Sequence, residues 1–163
     1  MIIILMGVTG SGKTTAGQLL AEDLGWPFYD GDDFHSEANI KKMRAGIPLD
    51  DNDREAWMAS LRDLIQKKIA AHEPVIFACS ALKQKYRDRL QQGYEDEITF
   101  VYLRGEYELL QQRLQARRSH FMNPNLLASQ FDALEEPEDV LTIDVATEPE
   151  RIVETIKREL RLE

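Results

Sequence analysis

The residues from Gly7 to Thr14 have the types and spacing for phosphate chemistry. They read G-V-T-G-S-G-K-T, glycine turns closed by a lysine and a hydroxyl residue. Glycines let a backbone wrap an anion with its N–H groups, and a helix opening at the end of the turn adds more free N–H groups. The lysine amine then reaches the β- and γ-phosphates of ATP, and the hydroxyl supplies a ligand to Mg2+. The pattern assigns Gly7, Val8, Thr9, Gly10, Ser11, Gly12, Lys13, Thr14 and the adjoining Thr15 to nucleotide binding, with Lys13 catalytic and Thr14 on the metal.

Phosphoryl transfer also needs an oriented acceptor and a second hold on the metal. Asp30, Asp32 and Asp33 form an acidic turn after the short run W-P-F-Y. Asp30 is the candidate for holding a water on Mg2+, an ion that keeps several waters; helix capping or surface charge is its other reading. Asp32 is the candidate to orient a substrate hydroxyl and take its proton, or to bind it only. Asp33 reads as structural or solvated. His35 is a candidate substrate ligand, equally readable as a locally satisfied histidine; with no cluster of histidines beside it, zinc is not expected.

The cations come in two groups. Arg54, Lys83 and Arg87 are candidates to meet a small acidic substrate in one crevice, since guanidinium groups grip carboxylates in two-pronged fashion; ordinary surface charge is the competing reading, strongest for Arg87. Arg113, Arg117 and Arg118 are candidates to close over ATP and offset charge on the moving phosphoryl group, with Arg117 taken as catalytic. Residues 146 to 149 are expected to flank the adenine.

Elements must position these groups. M-I-I-I-L-M at the start is a buried strand, followed by a helix from Lys13 to Leu24 with Gly25 as its cap. A short strand at residues 26 to 29 leads to a polar stretch with a helix from Glu37 to Arg44. A helix from Arg54, capped by Asp53, carries Trp57, Leu61, Leu64, Ile65 and Ile69. Strands follow at 74–78 and 98–103, separated by a basic helix. A helix over 106–116 turns Tyr107, Leu110 and Leu114 inward. Residues 117 to 124 have the composition of a lid, and a short helix from about 124 to 134 follows. A fifth strand at 140–145 leads into a final helix, with Thr147 to Glu150 as a capping box and Pro149 at its first position. Strands alternating with helices make an α/β protein with a mainly parallel five-stranded sheet.

The chain has 163 residues, a hydrophobic fraction of 43% and a formal charge of -9, which fit one globular domain. The acidic balance argues against an extended nucleic-acid footprint. A single cysteine, Cys79, leaves no intrachain disulfide. No stretch reaches the roughly 20 apolar residues of a membrane span, and the apolar start lacks a basic leader, so a cytoplasmic location is expected.

Separated segments carry a family resemblance. Beside the phosphate loop stand D-G-D-D-F-H at Asp30 to His35, N-I-K-K-M at Asn39 to Met43 and G-I-P-L-D-D-N-D-R at Gly46 to Arg54. Then come C-S-A-L-K at Cys79 to Lys83, Y-R-D at Tyr86 to Asp88, H-F-M at His120 to Met122 and S-Q-F at Ser129 to Phe131. The chain closely resembles the gluconate kinases among the P-loop small-molecule kinases. That resemblance implies a three-layer α/β/α fold like that of adenylate and shikimate kinases, in one domain over 1–163 with a helical substrate-binding excursion about 34–72 and a lid about 117–134. It implies ATP and Mg2+ as cofactors, gluconate contacts from His35, Arg54 and Lys83, lid or nucleotide contacts from Arg113 and Arg117, and His120 in the lid. The implied product is 6-phospho-D-gluconate, and homodimers are common in such a family. Thr9 where serine is common and Ser119 where glycine is common are departures that remove no phosphate-handling group. A kinase for another small acid or polyol, and a regulator that binds ATP without transferring phosphate, are the competing expectations.

Overall fold

The computed structural model describes residues 1–116 and 125–163. Its sheet is built from β1 (Ile2–Met6), β2 (Phe28–Asp30), β3 (Val75–Ala78), β4 (Ile98–Arg104) and β5 (Leu141–Asp144). The order is β2-β3-β1-β4-β5 and every pairing is parallel. The apolar opening of the chain is therefore the central strand, paired through Ile2 with both Val75 and Ile98.

Alternation along β1 divides the core in two. Ile3 and Leu5 face α1 (Lys13–Leu24) and α7 (Pro149–Leu160), meeting Ala16, Leu20, Ile152 and Ile156, with Leu110 and Leu114 of α5 (Tyr107–Ala116) in the same layer. Ile2, Ile4 and Met6 face α3 (Asp51–Ala70) and α4 (Gln84–Gln91), meeting Trp57, Leu61, Ile65, Tyr86 and Leu90. A residue period of two in the strand thus specifies a helix layer on each side of the sheet. Gly17 lets α1 approach β2: a Cβ there would lie 2.5 Å from the Phe28 ring. That contact explains a glycine inside a helix, where it costs about 1 kcal/mol relative to alanine.

Two helix starts differ from the expected ones. α3 begins at Asp51, and its N-cap is Asp50 rather than Asp53. Asp50 Oδ1 accepts the Asp53 N–H at 2.8 Å while Asp53 Oδ2 accepts the Asp50 N–H at 3.0 Å. Asp53 is thus the third residue of the helix and closes a capping box, and it also holds Lys42 of α2 (Glu37–Arg44) at 2.7 Å. In α7 Pro149 does take the first position, but Glu148 is the N-cap and no side chain caps it, so the box expected from Thr147 to Glu150 does not form. Tyr107 is 38% exposed rather than inward, and meets Phe131 of α6 (Asn125–Ala133) edge-on at 5.4 Å.

Candidate active site

The phosphate loop runs from the carboxyl end of β1 into α1. Gly7 has φ 148, and a Cβ there would stand 2.7 Å from the Leu103 carbonyl. No other residue type fits that approach. Gly10 and Gly12 also have positive φ, 81 and 90. The backbone N–H groups of Gly10, Gly12 and Thr14 have no partner among the described residues, and the buried Ser11 Oγ has none either. Such a ring of unpaired donors at a helix start suits the phosphates of ATP. Lys13 Nζ bends back across the loop to the Val8 carbonyl at 3.0 Å.

Asp30 caps a turn and also meets the phosphate loop. Its Oδ1 caps the 3-10 turn over Gly31–Phe34 by accepting the Asp32 N–H at 3.0 Å. Its Oδ2 accepts the Thr14 hydroxyl at 2.6 Å. It reaches Thr14 although β3 lies between β2 and β1. A hydroxyl and a carboxylate side by side at the loop are hard oxygen donors, and they fit Mg2+.

Next to the loop lies a crevice of ≈ 220 Å³, into which Asp32, His35, Arg54, Trp57 and Lys83 project, closed by Met43, Leu49, Leu126, Ser129 and Gln130 among others. Asp32, Ser80 and Gln130 line both this crevice and the phosphate pocket beside it. They mark the junction where a group would pass from one to the other.

Asp32 is pushed up to about 6, first by burial and then by repulsion from Asp30, with Lys13 opposing. His35 is pushed down to about 4 by burial and by the charge of Arg54. Its ring stacks on Trp57 at 4.3 Å and 15°, and the indole N–H donates to the Gly31 carbonyl at 2.6 Å. Asn39 Nδ2 donates to the Asp53 carbonyl at 2.9 Å, which fixes the amide, and it stands 3.3 Å from His35 Nδ1. Nδ1 is therefore the acceptor, and the proton of the neutral ring sits on Nε2.

Arg54 donates to the Tyr86 hydroxyl at 2.9 Å, with its guanidinium 5.2 Å from that ring. The hydroxyl in turn donates to Asp51 at 2.8 Å. Lys83 precedes α4 as its N-cap residue, its side chain unused for capping. Arg87 does not enter the crevice. It is 2% exposed and donates to the carbonyls of Ala81, Leu82 and Glu135 and to Gln84 Oε1. Helix geometry explains the correction, because Arg87 lies on the turn of α4 that faces back over the loop preceding it.

Beyond the loop, Ser11, Gly12, Thr15, Arg113, Thr147 and Pro149 line a separate slot, where residues 146 to 149 were expected to meet a base. Arg113 is anchored there by donating to the Val145 carbonyl at 2.6 Å. Arg117, Arg118 and His120 lie outside the described residues. Three contributors went unassigned in the sequence: Asn39, Tyr86 and Gln130. All three sit in motifs noted above, but nothing in their spacing gave them a task.

The shikimate kinase family model matches residues 9–161. A probable gluconokinase of Rattus norvegicus is 46% identical over 153 residues, covering 83% of this chain and 83% of that protein. Among solved structures, a sugar kinase from Janibacter sp. superposes with a TM-score of 0.91 at 39% identity, covering 99% of this chain and 94% of that one. A gluconokinase from Sinorhizobium meliloti gives 0.81 at 38% identity, covering 98% and 94%. With the phosphate loop, the acidic turn and the basic crevice in one continuous cleft, the chain belongs to the gluconokinase family of P-loop small-molecule kinases.

Proposed function

We propose that this chain transfers the γ-phosphoryl group of ATP to the 6-hydroxyl of D-gluconate, giving 6-phospho-D-gluconate and ADP. The observation that carries this reading is Asp32, a carboxylate at the junction of the phosphate pocket and a crevice that holds Arg54 and Lys83. The two cations suit the carboxylate of a sugar acid, and Asp32 and His35 suit its hydroxyls.

In this reading the acceptor is bound by Arg54 and Lys83, and the His35 Nε2–H donates to a hydroxyl near Asp32. Asp32 orients the 6-hydroxyl for in-line attack on the γ-phosphorus and accepts its proton, while the bond from that phosphorus to the β-γ bridging oxygen breaks and ADP leaves. Lys13 turns from Val8 toward the β- and γ-oxygens. Thr14 and Asp30 would hold Mg2+, which when bound withdraws charge from those oxygens. Arg113 borders the nucleotide, Arg117 is assigned to offset charge on the transferring phosphoryl group, and His120 is assigned to the substrate. The assignment includes one kinase domain with the excursion and lid described above, work in the cytoplasm and assembly as a homodimer. Among the described residues no helix is long and apolar enough to cross a membrane.

The test is ADP release with ATP and Mg2+ over gluconate, related sugar acids, shikimate, glycerate and nucleoside monophosphates, with the phosphorylated position read by NMR. A dominant rate with gluconate and phosphate on its 6-hydroxyl is expected. Preference for another acceptor would replace the substrate assignment, and ATP binding without turnover on any acceptor would favour the regulator.

A further inference from the structure

Gln130 connects two parts of the cleft that the reaction must join. Its Oε1 accepts the backbone N–H of Thr9, inside the phosphate loop, at 2.6 Å. Its side chain also lines the acceptor crevice. The helix that presents it is fastened at several points. Leu126 packs with Met43 and Leu49 of the acceptor excursion, and Leu127 enters the core beside the sheet. Just past its end, the Glu135 N–H donates to the Leu82 carbonyl at 2.8 Å. The fastened helix keeps the carboxamide at the junction.

Its partner gives it a task. Loop N–H groups of this kind donate to phosphate oxygens. The transferred group must lie between the phosphate pocket and the crevice, where Asp32, Ser80 and Gln130 are the shared walls. A γ-phosphate oxygen there competes with Gln130 Oε1 for the Thr9 proton. Two acceptors cannot share it at full strength, so the amide must yield, and turning over brings its NH2 to the oxygen side. A carboxamide can make that exchange because it carries a donor and an acceptor on one plane.

We propose that Gln130 is a positioning residue that holds the Thr9 N–H before ATP binds, releases it to the γ-phosphate, and shields the transferring group from water so that ATP turnover depends on the acceptor. The idea rests on the kinase reading for the identity of that acceptor, but its action on the γ-phosphate does not require gluconate.

Gln130→Glu separates this role from a structural one. The carboxylate keeps an oxygen for the Thr9 N–H, so a merely structural Gln130 predicts unchanged melting and unchanged turnover. The proposed role predicts unchanged melting with a fall in kcat of about 100-fold, the scale for losing a donor aimed at developing charge. It also predicts binding of a non-hydrolysable ATP analogue weakened by about tenfold while ADP binding is kept, since only the γ-phosphate meets the new charge. Gln130→Met, which keeps the length and loses both polar groups, should raise the ADP released per phosphorylated acceptor above one. Failure of gluconate to stimulate the unaltered enzyme would count against the substrate assignment alone. Equal loss of ATP-analogue and ADP binding in Gln130→Glu, or wild-type turnover by it, or strict coupling in Gln130→Met, would overturn the role of Gln130.

Discussion

Nε2 of His35 stands 3.9 Å from Oδ1 of Asp32, too far for a direct hydrogen bond and close enough for one hydroxyl oxygen to meet both. Because Asn39 makes Nδ1 an acceptor, His35 offers a proton at that point and Asp32 offers a lone pair. A donor and an acceptor on either side of one oxygen orient an alcohol without any charge on the histidine.

The Asp32 carboxyl should set the acid side of the rate profile. It is pushed up to about 6 from an ordinary value of 3.8, so it is ionised above about 6 and protonated below. In the free enzyme kcat/KM should rise with pH through that region, and Asp32→Asn should flatten this limb while lowering kcat more than it changes ATP binding. The sign for stability is opposite to that of a salt-bridged acid. A raised carboxyl stabilises the fold below 3.8 and loses that contribution as pH rises through about 6. Asp32→Asn should therefore melt higher than the parent at neutral pH, and the gap should close near pH 3.8. A parent that melts higher at neutral pH would show that burial does not burden this carboxylate.

His35 should stay neutral through the working range. It is held down to about 4 from 6.5, so the unfolded chain binds a proton that the folded one refuses between those values. Its contribution to stability is full above 6.5 and is lost as pH falls toward about 4. Nitrogen-15 NMR should show Nε2 protonated and Nδ1 bare, with no titration between about pH 5 and 8, the range in which an ordinary histidine changes charge. Asn39→Leu should release the tautomer and raise KM for gluconate. A His35 titration near 6.5 would refute the buried neutral ring.

Tyr86 should act through Arg54. Its hydroxyl takes a hydrogen bond from the guanidinium and passes one to Asp51, while its ring supports the cation from one face. Tyr86→Phe keeps the ring and removes the hydroxyl. One hydrogen bond of about 1 kcal/mol corresponds to roughly a fivefold rise in KM for gluconate, with kcat and the KM for ATP unchanged. Equal changes in all three constants would mean that the substitution had disturbed the cleft generally.

Local rules made the sheet and the loop readable. α1 spans Lys13–Leu24 with Gly25 left-handed beyond it, as the spacing of glycine and leucine required. The long helix could be placed, but its cap was read at Asp53, and the reciprocal hydrogen bonds put it at Asp50. Asn39 and Gln130 were illegible as to role for a different reason. Each acts on a group distant in sequence, Asn39 on the Asp53 carbonyl and Gln130 on the Thr9 N–H. Amides carry no charge and follow no period, so tertiary contact alone reveals their work. Arg87 misled in the opposite direction, since a guanidinium beside a candidate binding loop looks like a ligand until its carbonyl partners are seen.

Arg87 should therefore matter for stability rather than for substrate contact. Its guanidinium ties the Ala81 and Leu82 carbonyls, in the loop carrying Lys83, to the Glu135 carbonyl after α6. At 2% exposure water cannot replace the lost donors. Arg87→Met fills much of the space but leaves the Ala81 and Glu135 carbonyls unpaired, at a cost of about 3 kcal/mol. Melting should fall accordingly, while the fraction that remains folded at low temperature keeps a KM for gluconate within about threefold of the parent, the change expected from slight loosening around Lys83. Arg54→Met gives the contrast, with little change in melting and a large rise in that KM. If Arg87→Met instead melted normally and bound gluconate poorly, the guanidinium would have to leave its carbonyl partners and contact the acid directly.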